Sequence, residues 1–242
     1  MASRAEAPTT RPPATALPRL GTVVRAALSD YYFNSMRLVA ANLVWGLALA
    51  LILLVGLAAP LLSLVLLPLL AFPTAGVFRL AARIVRVEPG AGLHDIAWPY
   101  RHASGRWLVV GIAVVAAGLM LATNIVVGLT SGEPPRWAIA TLAGWGLVVL
   151  WCGALVGWPL LVDPERTEMS LADGLRLVGG LLLAHPIRFA GLGLAMAVVT
   201  AVSVVLTAAI LTISVGFVAL VACRSVYPAA DRLGPALLGE RP

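Results

Sequence analysis

Arginine is the commonest ionisable residue in this chain, and three arginines are regularly spaced. Arg79, Arg83 and Arg86 are related by i, i+4 and i+7, so on a helix they form one basic stripe. Near a membrane, such a stripe could bind anionic lipid headgroups or an acidic partner surface. Alternatively, these arginines only set the orientation of the chain and extend their charged ends toward water.

The remaining ionisable residues match no standard catalytic or metal-binding pattern. His94, Asp95 and His102 share one polar segment, but Pro99 falls between the histidines and the spacing fits no helical metal site. The sequence also lacks GxSxG and HExxH. We therefore expect no catalytic residues, no metal, no cofactor and no enzymatic activity.

Two asparagines are the conspicuous polar residues inside long apolar segments. Asn42 and Asn124 could line a polar cavity, but amide bonding across a helix interface is the commoner arrangement. No ionisable residue lies near the middle of any apolar segment. This disfavours ion-coupled transport, because moving a charge needs a charged or titratable group at depth.

These residues must be positioned by elements that cross a membrane. Of the 242 residues, 60% are hydrophobic and only 12% are charged, whereas soluble domains contain about a quarter charged residues. A spanning helix needs about 20 apolar residues. The composition therefore predicts an all-α, polytopic membrane helix bundle.

Six segments have the length and composition of a crossing. The last two come from one apolar run, 189–227, which as a single helix would be about twice as long as the bilayer core is thick. Its break, near Leu206 to Ile210, is chosen by length alone. Pro68 and Pro73 predict a kink in the second crossing, packed inside the bundle. The predicted crossings are residues 37–58, 61–80, 107–129, 137–162, 188–206 and 208–226.

The arginines also predict the orientation of the chain. With six crossings, every arginine except Arg136 falls on one side, as the positive-inside rule requires. This bias accounts for the net charge of +6, so we expect no nucleic-acid partner. We place the chain in a bacterial cytoplasmic membrane with an anionic inner leaflet and both termini cytosolic. Residues 1–19 are predicted to be a disordered tail, 20–228 a single membrane domain and 229–242 a second tail.

A short amphipathic segment precedes each pair of crossings. Residues 20–33, 91–103 and 170–184 are predicted to be interfacial helices on the cytosolic side. Ser170 and Asp173 form a capping box at the start of the third. The expected fold is thus three hairpins, each preceded by a short cytosolic interfacial helix.

The chain resembles the YesL family of bacterial integral membrane proteins, whose function is not established. The resemblance covers nearly everything after the N-terminal tail, although the long proline-rich start and His185 depart from the family pattern. It rests on the tract from Asn42 to Trp45, on Pro73 and Thr74, on the exit from Arg83 to Glu88, on the two later amphipathic segments, and on Pro186 and Arg188.

The resemblance implies an accessory role in carbohydrate uptake, since similar family members are often encoded beside sugar-import ABC transporter components. Our leading hypothesis is a non-enzymatic protein that assists or regulates a carbohydrate ABC importer, with its permease subunits as partners. The alternative is a small uncoupled solute transporter or channel, suggested by the repeated hairpins and the proline-broken helix. A lipid-modifying enzyme at the cytosolic face, around His94 and Asp95, is the third hypothesis. The sequence does not indicate an oligomeric state.

Overall fold

Every element that the structure describes is a helix. The computed structural model describes residues 17–86, 90–102, 104–206 and 213–238. Ten α-helices and two short 3₁₀ segments account for most of these ranges. They are α1 (Leu20–Phe33), α2 (Ser35–Ala58), α3 (Pro60–Leu66), a 3₁₀ turn (Leu67–Leu70), α4 (Ala71–Val85), α5 (His94–Arg101), α6 (Ser104–Thr130), α7 (Pro134–Val162), a 3₁₀ turn (Pro164–Arg166), α8 (Leu171–Ala184), α9 (Pro186–Val205) and α10 (Val215–Leu238).

Five helices in the described ranges are long and apolar enough to cross a membrane. They are Ser35–Ala58, Pro60–Val85, Ser104–Thr130, Pro134–Val162 and Pro186–Val205. This assignment rests on the length and composition of the five helices alone. On that basis the chain is a multi-pass membrane protein. A sixth crossing, and with it the arrangement as three hairpins, stays a prediction.

The final helix, α10, lies at the centre of the bundle. It packs against α1, α4, α7 and α8, and its residues from Val218 to Cys223 are all buried. Small side chains such as Ala219 and Ala222 let neighbouring helices approach closely. Because α10 also carries Arg224, Asp231 and Arg232, it is less apolar than the five crossings.

The last helix extends past residue 228, where the sequence places the end of the membrane domain. Helix α10 continues through Pro228 to Leu238, and Ala229, Ala230 and Gly234 are buried. Residues 229–238 of the predicted second tail are therefore packed helix, while 239–242 lie outside the described residues. At the other end, residues 1–16 of the predicted tail are also outside them, and the carbonyl of Pro18 accepts a hydrogen bond from Arg188.

The predicted breaks between helices are found where the structure describes them. Helix α2 ends at Ala58 and α3 begins at Pro60. Helix α9 ends at Val205, just before the predicted break from Leu206 to Ile210, of which residues 207–210 lie outside the described ranges.

Pro68 interrupts the second crossing, as predicted. The backbone from Leu67 to Leu70 is a 3₁₀ turn between α3 and α4, because proline cannot donate the next helical hydrogen bond. The turn packs against α6 at Gly111, where an added Cβ would lie 2.3 Å from the Pro68 carbonyl oxygen. The irregular backbone is thus covered by a neighbouring helix.

The three predicted amphipathic helices are present. Helix α1 has the predicted bounds, α8 starts one residue later than predicted, and α5 is shorter, at His94–Arg101. The Ser170 hydroxyl accepts a hydrogen bond from the Asp173 backbone N–H at 3.1 Å, so the predicted N-cap of α8 is confirmed. The position of these three helices at a membrane surface stays a prediction.

Candidate functional site

Four charged residues from distant parts of the chain meet at one end of the bundle. Arg86 donates a hydrogen bond to Asp163 at 2.7 Å and another to Asp231 at 2.9 Å. Arg166 pairs with both of the same carboxylates. We call Arg86, Asp163, Arg166 and Asp231 the ion cluster. It connects the C-terminal ends of α4 and α7 to the last third of α10.

The ion cluster is shielded from solvent on one side. The Asp163 side chain is fully buried, and the Arg86 guanidinium lies 4.3 Å from the centroid of the Tyr227 ring. Two cations facing two carboxylates leave no net charge among these four groups, and the exposed Glu165 carboxylate adds a negative charge beside them, 3.0 Å from Arg86 Nη1. Buried charges need such partners, because an unpaired charge in this position would be costly.

Pairing shifts the pKa values of Arg86 and Asp231. Burial works against the charged form of Arg86, but hydrogen bonds to Asp231 and Asp163 outweigh it and raise the arginine pKa. Burial likewise works against ionised Asp231, yet the hydrogen bonds from Arg86 and Arg166 lower the pKa of that carboxyl overall. Both shifts favour the charged forms of Arg86 and Asp231.

The predicted basic stripe is divided among different partners. Arg79 is buried, donates to the Val162 carbonyl at 2.7 Å and lies 4.5 Å from the centroid of the Trp98 indole. Arg83 donates to Asp95 at 2.8 Å. With Arg86 in the ion cluster, each of the three arginines contacts other parts of the chain. Their contact with lipid headgroups or with a partner protein stays a prediction.

The polar segment around α5 packs onto the same end of the bundle. Asp95 is buried, and its carboxylate also accepts the Gly92 backbone N–H at 2.9 Å. His94 Nε2 lies 3.1 Å from Arg83 Nη1, whereas the His102 ring stacks on Trp98. The two histidines thus have different surroundings. No group of three His, Cys, Asp or Glu side chains suited to a metal occurs in the described ranges.

The two asparagines differ in their surroundings. Asn42 is completely buried, and its Oδ1 accepts the Gly216 backbone N–H at 2.7 Å, so it joins α2 to α10. Asn124 instead donates to the Met120 carbonyl of its own helix at 2.8 Å. Only Asn42 makes the predicted bond across a helix interface.

Other motif positions also contact neighbouring helices. Trp45 Nε1 donates to the Thr74 hydroxyl at 2.9 Å, which joins α2 to α4. Arg188 donates to the Ser225 carbonyl at 3.4 Å, and Pro186 is the first residue of α9. Pro73 is buried in α4. Glu88 lies outside the described residues.

A partly open cavity of about 180 Å³ lies between α2, α4, α7, α9 and α10. Trp45, Trp151 and Trp158 supply much of its wall, and Thr74 and Thr200 add hydroxyl groups. Both hydroxyls donate to carbonyls of their own helices, at Leu70 and Met196. Only acceptor lone pairs of these two groups are left for a bound molecule.

A larger groove of about 440 Å³ runs between α6, α7 and α8, and its lining is apolar or glycine. Gly153 and Gly157, which are four residues apart on α7, form part of its wall. A Cβ on Gly157 would lie 3.6 Å from Val178, whereas a Cβ on Gly153 would meet no atom within 4 Å. Gly157 thus provides the close contact, and Gly153 faces open space.

Sequence reasoning missed Asp231 and Arg166 as members of the ion cluster. Asp231 was assigned to a tail, although it lies four residues after Tyr227, at the spacing that continues a helix face. That spacing was the signal from which the helical position of Asp231 could have been predicted. Comparisons with protein-family models, with curated proteins and with solved structures give no match.

Proposed function

We propose that this chain is a non-enzymatic accessory membrane protein that docks onto the membrane helices of a transporter. The observation that carries the proposal is the exposure of α6. Only 6% of the most apolar stretch of this helix is buried, against 28% or more for each of the other four crossings. Helix α6 packs mainly on α7, so the α6–α7 pair presents a long apolar face to its surroundings.

The composition of that face supports docking of another protein. Helices associate in lipid through small residues and through side chains that form hydrogen bonds. The pair carries Gly144 on α7, where an added Cβ would meet no atom within 4 Å. The face also includes Asn124 and Thr141, whose side chains bond only their own helix in the contacts described.

The proposed partner follows from the resemblance to the YesL family. The resemblance implies a role in assisting carbohydrate ABC importers. We therefore propose the permease subunits of such an importer as the partners. Asn42, Trp45 and Thr74, on which the resemblance rests, all join helices of the bundle. These bonds hold α2 against α4 and α10.

Site-directed crosslinking in native membranes tests this proposal. Met120 on α6 is 62% exposed and Leu51 on α2 is 63% exposed, and the two lie equally far from the first residue of their helices. With a photoreactive crosslinker attached to Cys, M120C should capture a sugar-permease subunit and L51C should not. Cys152 and Cys223 are buried, which limits background labelling. Equal capture by both variants, or no protein captured by M120C, would overturn the proposal.

The partly open cavity beside Trp45 and Trp151 favours a second candidate function, a small uncoupled solute transporter. At about 180 Å³ it is smaller than most ligand sites, which measure about 300–1,000 Å³, so only a small solute would fit. Reconstituted vesicles should then pass small sugars or metabolites, and V218F, which places a larger side chain on the cavity wall, should reduce the flux. Wild-type vesicles with no more flux than protein-free vesicles would contradict this candidate.

A further inference from the structure

Two glycines, which have no side chain, leave room for the groove between α6, α7 and α8. Gly153 of α7 and Gly179 of α8 both line it, and a Cβ on either would meet no atom within 4 Å. Val110 and Val114 of α6 form the facing wall. The result is a long apolar channel along the surface of the bundle, suited to a flexible hydrocarbon.

Arg106 lies at one end of this channel. It precedes Val109 and Val110 by three and four residues on α6, so all three share one helix face. Its guanidinium lies 5.7 Å from the centroid of the Trp107 ring, and Trp107 stacks on Trp158, which also lines the groove. A cationic group therefore stands beside the apolar channel.

The Arg106 guanidinium lacks the partners that the other arginines at this end of the bundle have. Its Nε and Nη2 atoms are buried without a hydrogen-bond partner, whereas Arg86 and Arg166 are paired with carboxylates. Burying such donors without an acceptor is unfavourable. An anion at Arg106 would remove that cost, and phosphate oxygens match guanidinium donors in number and direction.

The size of the groove distinguishes between apolar occupants. A helix is about 10 Å across and rises about 1.5 Å per residue, so the volume of about 440 Å³ would hold only about one helical turn. A hydrocarbon chain is thinner and can follow the length of the groove. A molecule that joins an apolar chain to an anionic phosphate therefore fits both features.

We propose that this groove binds one anionic phospholipid, with an acyl chain along Gly153 and Val178 and its phosphate on Arg106. The groove uses α6 residues between 109 and 114, which precede Met120 along the helix, and binding of the lipid does not depend on the proposed transporter function. In the predicted topology the groove opens to the inner leaflet, where anionic lipids supply the ligand.

Native mass spectrometry of the purified full-length chain tests the site. Delipidated protein is mixed with phosphatidylglycerol, and the bound fraction is measured for wild type and variants. We expect one tightly held lipid in the wild type and at least about tenfold weaker binding in R106Q, since a hydrogen-bonded ion pair is lost. The matched control is R176Q, which removes the same charge from an exposed side chain of α8 and should leave binding unchanged.

A second pair of variants tests the apolar half of the site. G153L fills the channel at a position where the added atoms meet no neighbour, so we expect it to fold and to lose the lipid. G144L places the same side chain at an equally open position of α7 outside the groove, and it should bind like wild type. Thermal unfolding in detergent confirms that both variants are folded.

Four results would overturn the proposal. R106Q and R176Q weakening binding equally would indicate unspecific attraction to charge. Phosphatidylcholine binding as well as phosphatidylglycerol would show that the site does not select a net anionic lipid. Inorganic phosphate displacing the lipid would identify a free-anion site instead. Unchanged binding in G153L would exclude the groove.

Discussion

Arg86 shows how one side chain can hold separate parts of this chain together. Its guanidinium bonds Asp163 and Asp231, which lie 77 and 145 positions away in the sequence. A planar group with several donors can serve two carboxylates at once, which a lysine ammonium does less well. The other two arginines of the stripe are also engaged within the fold, with Val162, Trp98 and Asp95. These contacts within the chain stabilise the bundle, whether or not the three arginines of the stripe also contact lipid or a partner protein.

Removing one carboxylate from the ion cluster should destabilise the fold. We expect D231N to lower the free energy of unfolding by about 1–2 kcal/mol, because Arg86 and Arg166 both lose a charged partner. Asp231 and Asp173 are almost equally exposed, at 38% and 39%, which makes D173N the matched control. Thermal unfolding in detergent measures the loss of stability in both variants. Equal losses in the two variants would contradict a special role for the ion cluster.

The contribution of Asp231 should also depend on pH. Its pKa is lower in the folded chain than in the unfolded chain, where an Asp carboxyl titrates near about 3.9. Its stabilising effect is therefore present above that value and is lost as the pH falls through the folded pKa. We expect the difference between wild type and D231N to be constant from about pH 5 to 7 and to shrink below about pH 4. A difference that grows on acidification would contradict the ion pairing.

At the scale of elements, helix pairs are joined by a few close or polar contacts. Asn42 joins α2 to α10, and Trp45 joins α2 to α4. Where backbones nearly touch, only glycine fits. Gly76 on α4 is such a position, because an added Cβ would lie 2.6 Å from the carbonyl oxygen of Ile96 on α5.

The two asparagines should respond differently to the same substitution. We expect N42L to lower the free energy of unfolding by about 1–2 kcal/mol, since the Gly216 N–H would be left without its acceptor in an apolar interior. N124L should change it by less than about 0.5 kcal/mol, since that side chain bonds only its own helix in the structure. Unfolding by denaturant in detergent compares them. Similar losses would contradict the assigned contacts.

The contact between α4 and α5 should be sensitive to a single methyl group. We expect G76A to lower the free energy of unfolding by about 1–3 kcal/mol, because α5 must shift away from α4. G191A is the control, since a Cβ on Gly191 of α9 would meet no atom within 4 Å. Thermal unfolding is again the measurement, and a neutral G76A would show that the two helices are not in close contact.

For the whole molecule, the central feature is that the last helix of the chain forms the core of the bundle. Helix α10 contacts the first helix and the later ones, and Asp30 of α1 pairs with Arg224 of α10. The first and the last helix that the structure describes are therefore packed together. An even number of crossings, which stays a prediction, would place the two ends of the chain on the same side of the membrane.

Cysteine labelling in intact cells tests that orientation. L237C near the end of α10 should react with an impermeant thiol reagent only after the cells are permeabilised. E133C, in the turn between α6 and α7, should react without permeabilisation. The native cysteines are buried and serve as an internal background. Labelling of L237C in intact cells would contradict the six-crossing topology and the inner-leaflet position of the lipid groove.

By itself the sequence determined the class of this protein and the limits of most of its helices. Apolar length, proline and capping residues act within a few turns of chain, so α1, α2 and α8 were predicted to within two residues of their structural ends. These local signals did not predict that α10 extends to Leu238, past the predicted domain boundary at residue 228.

Only the tertiary structure decided which charged groups meet. The partners of Arg86 come from helices far apart in the sequence, and no local pattern records that their ends converge. The same holds for Arg106, whose position beside the groove follows from how α6 packs on α7 and α8. Local periodicity identifies a helix face, but what that face contacts is set by packing between helices, which depends on the whole chain.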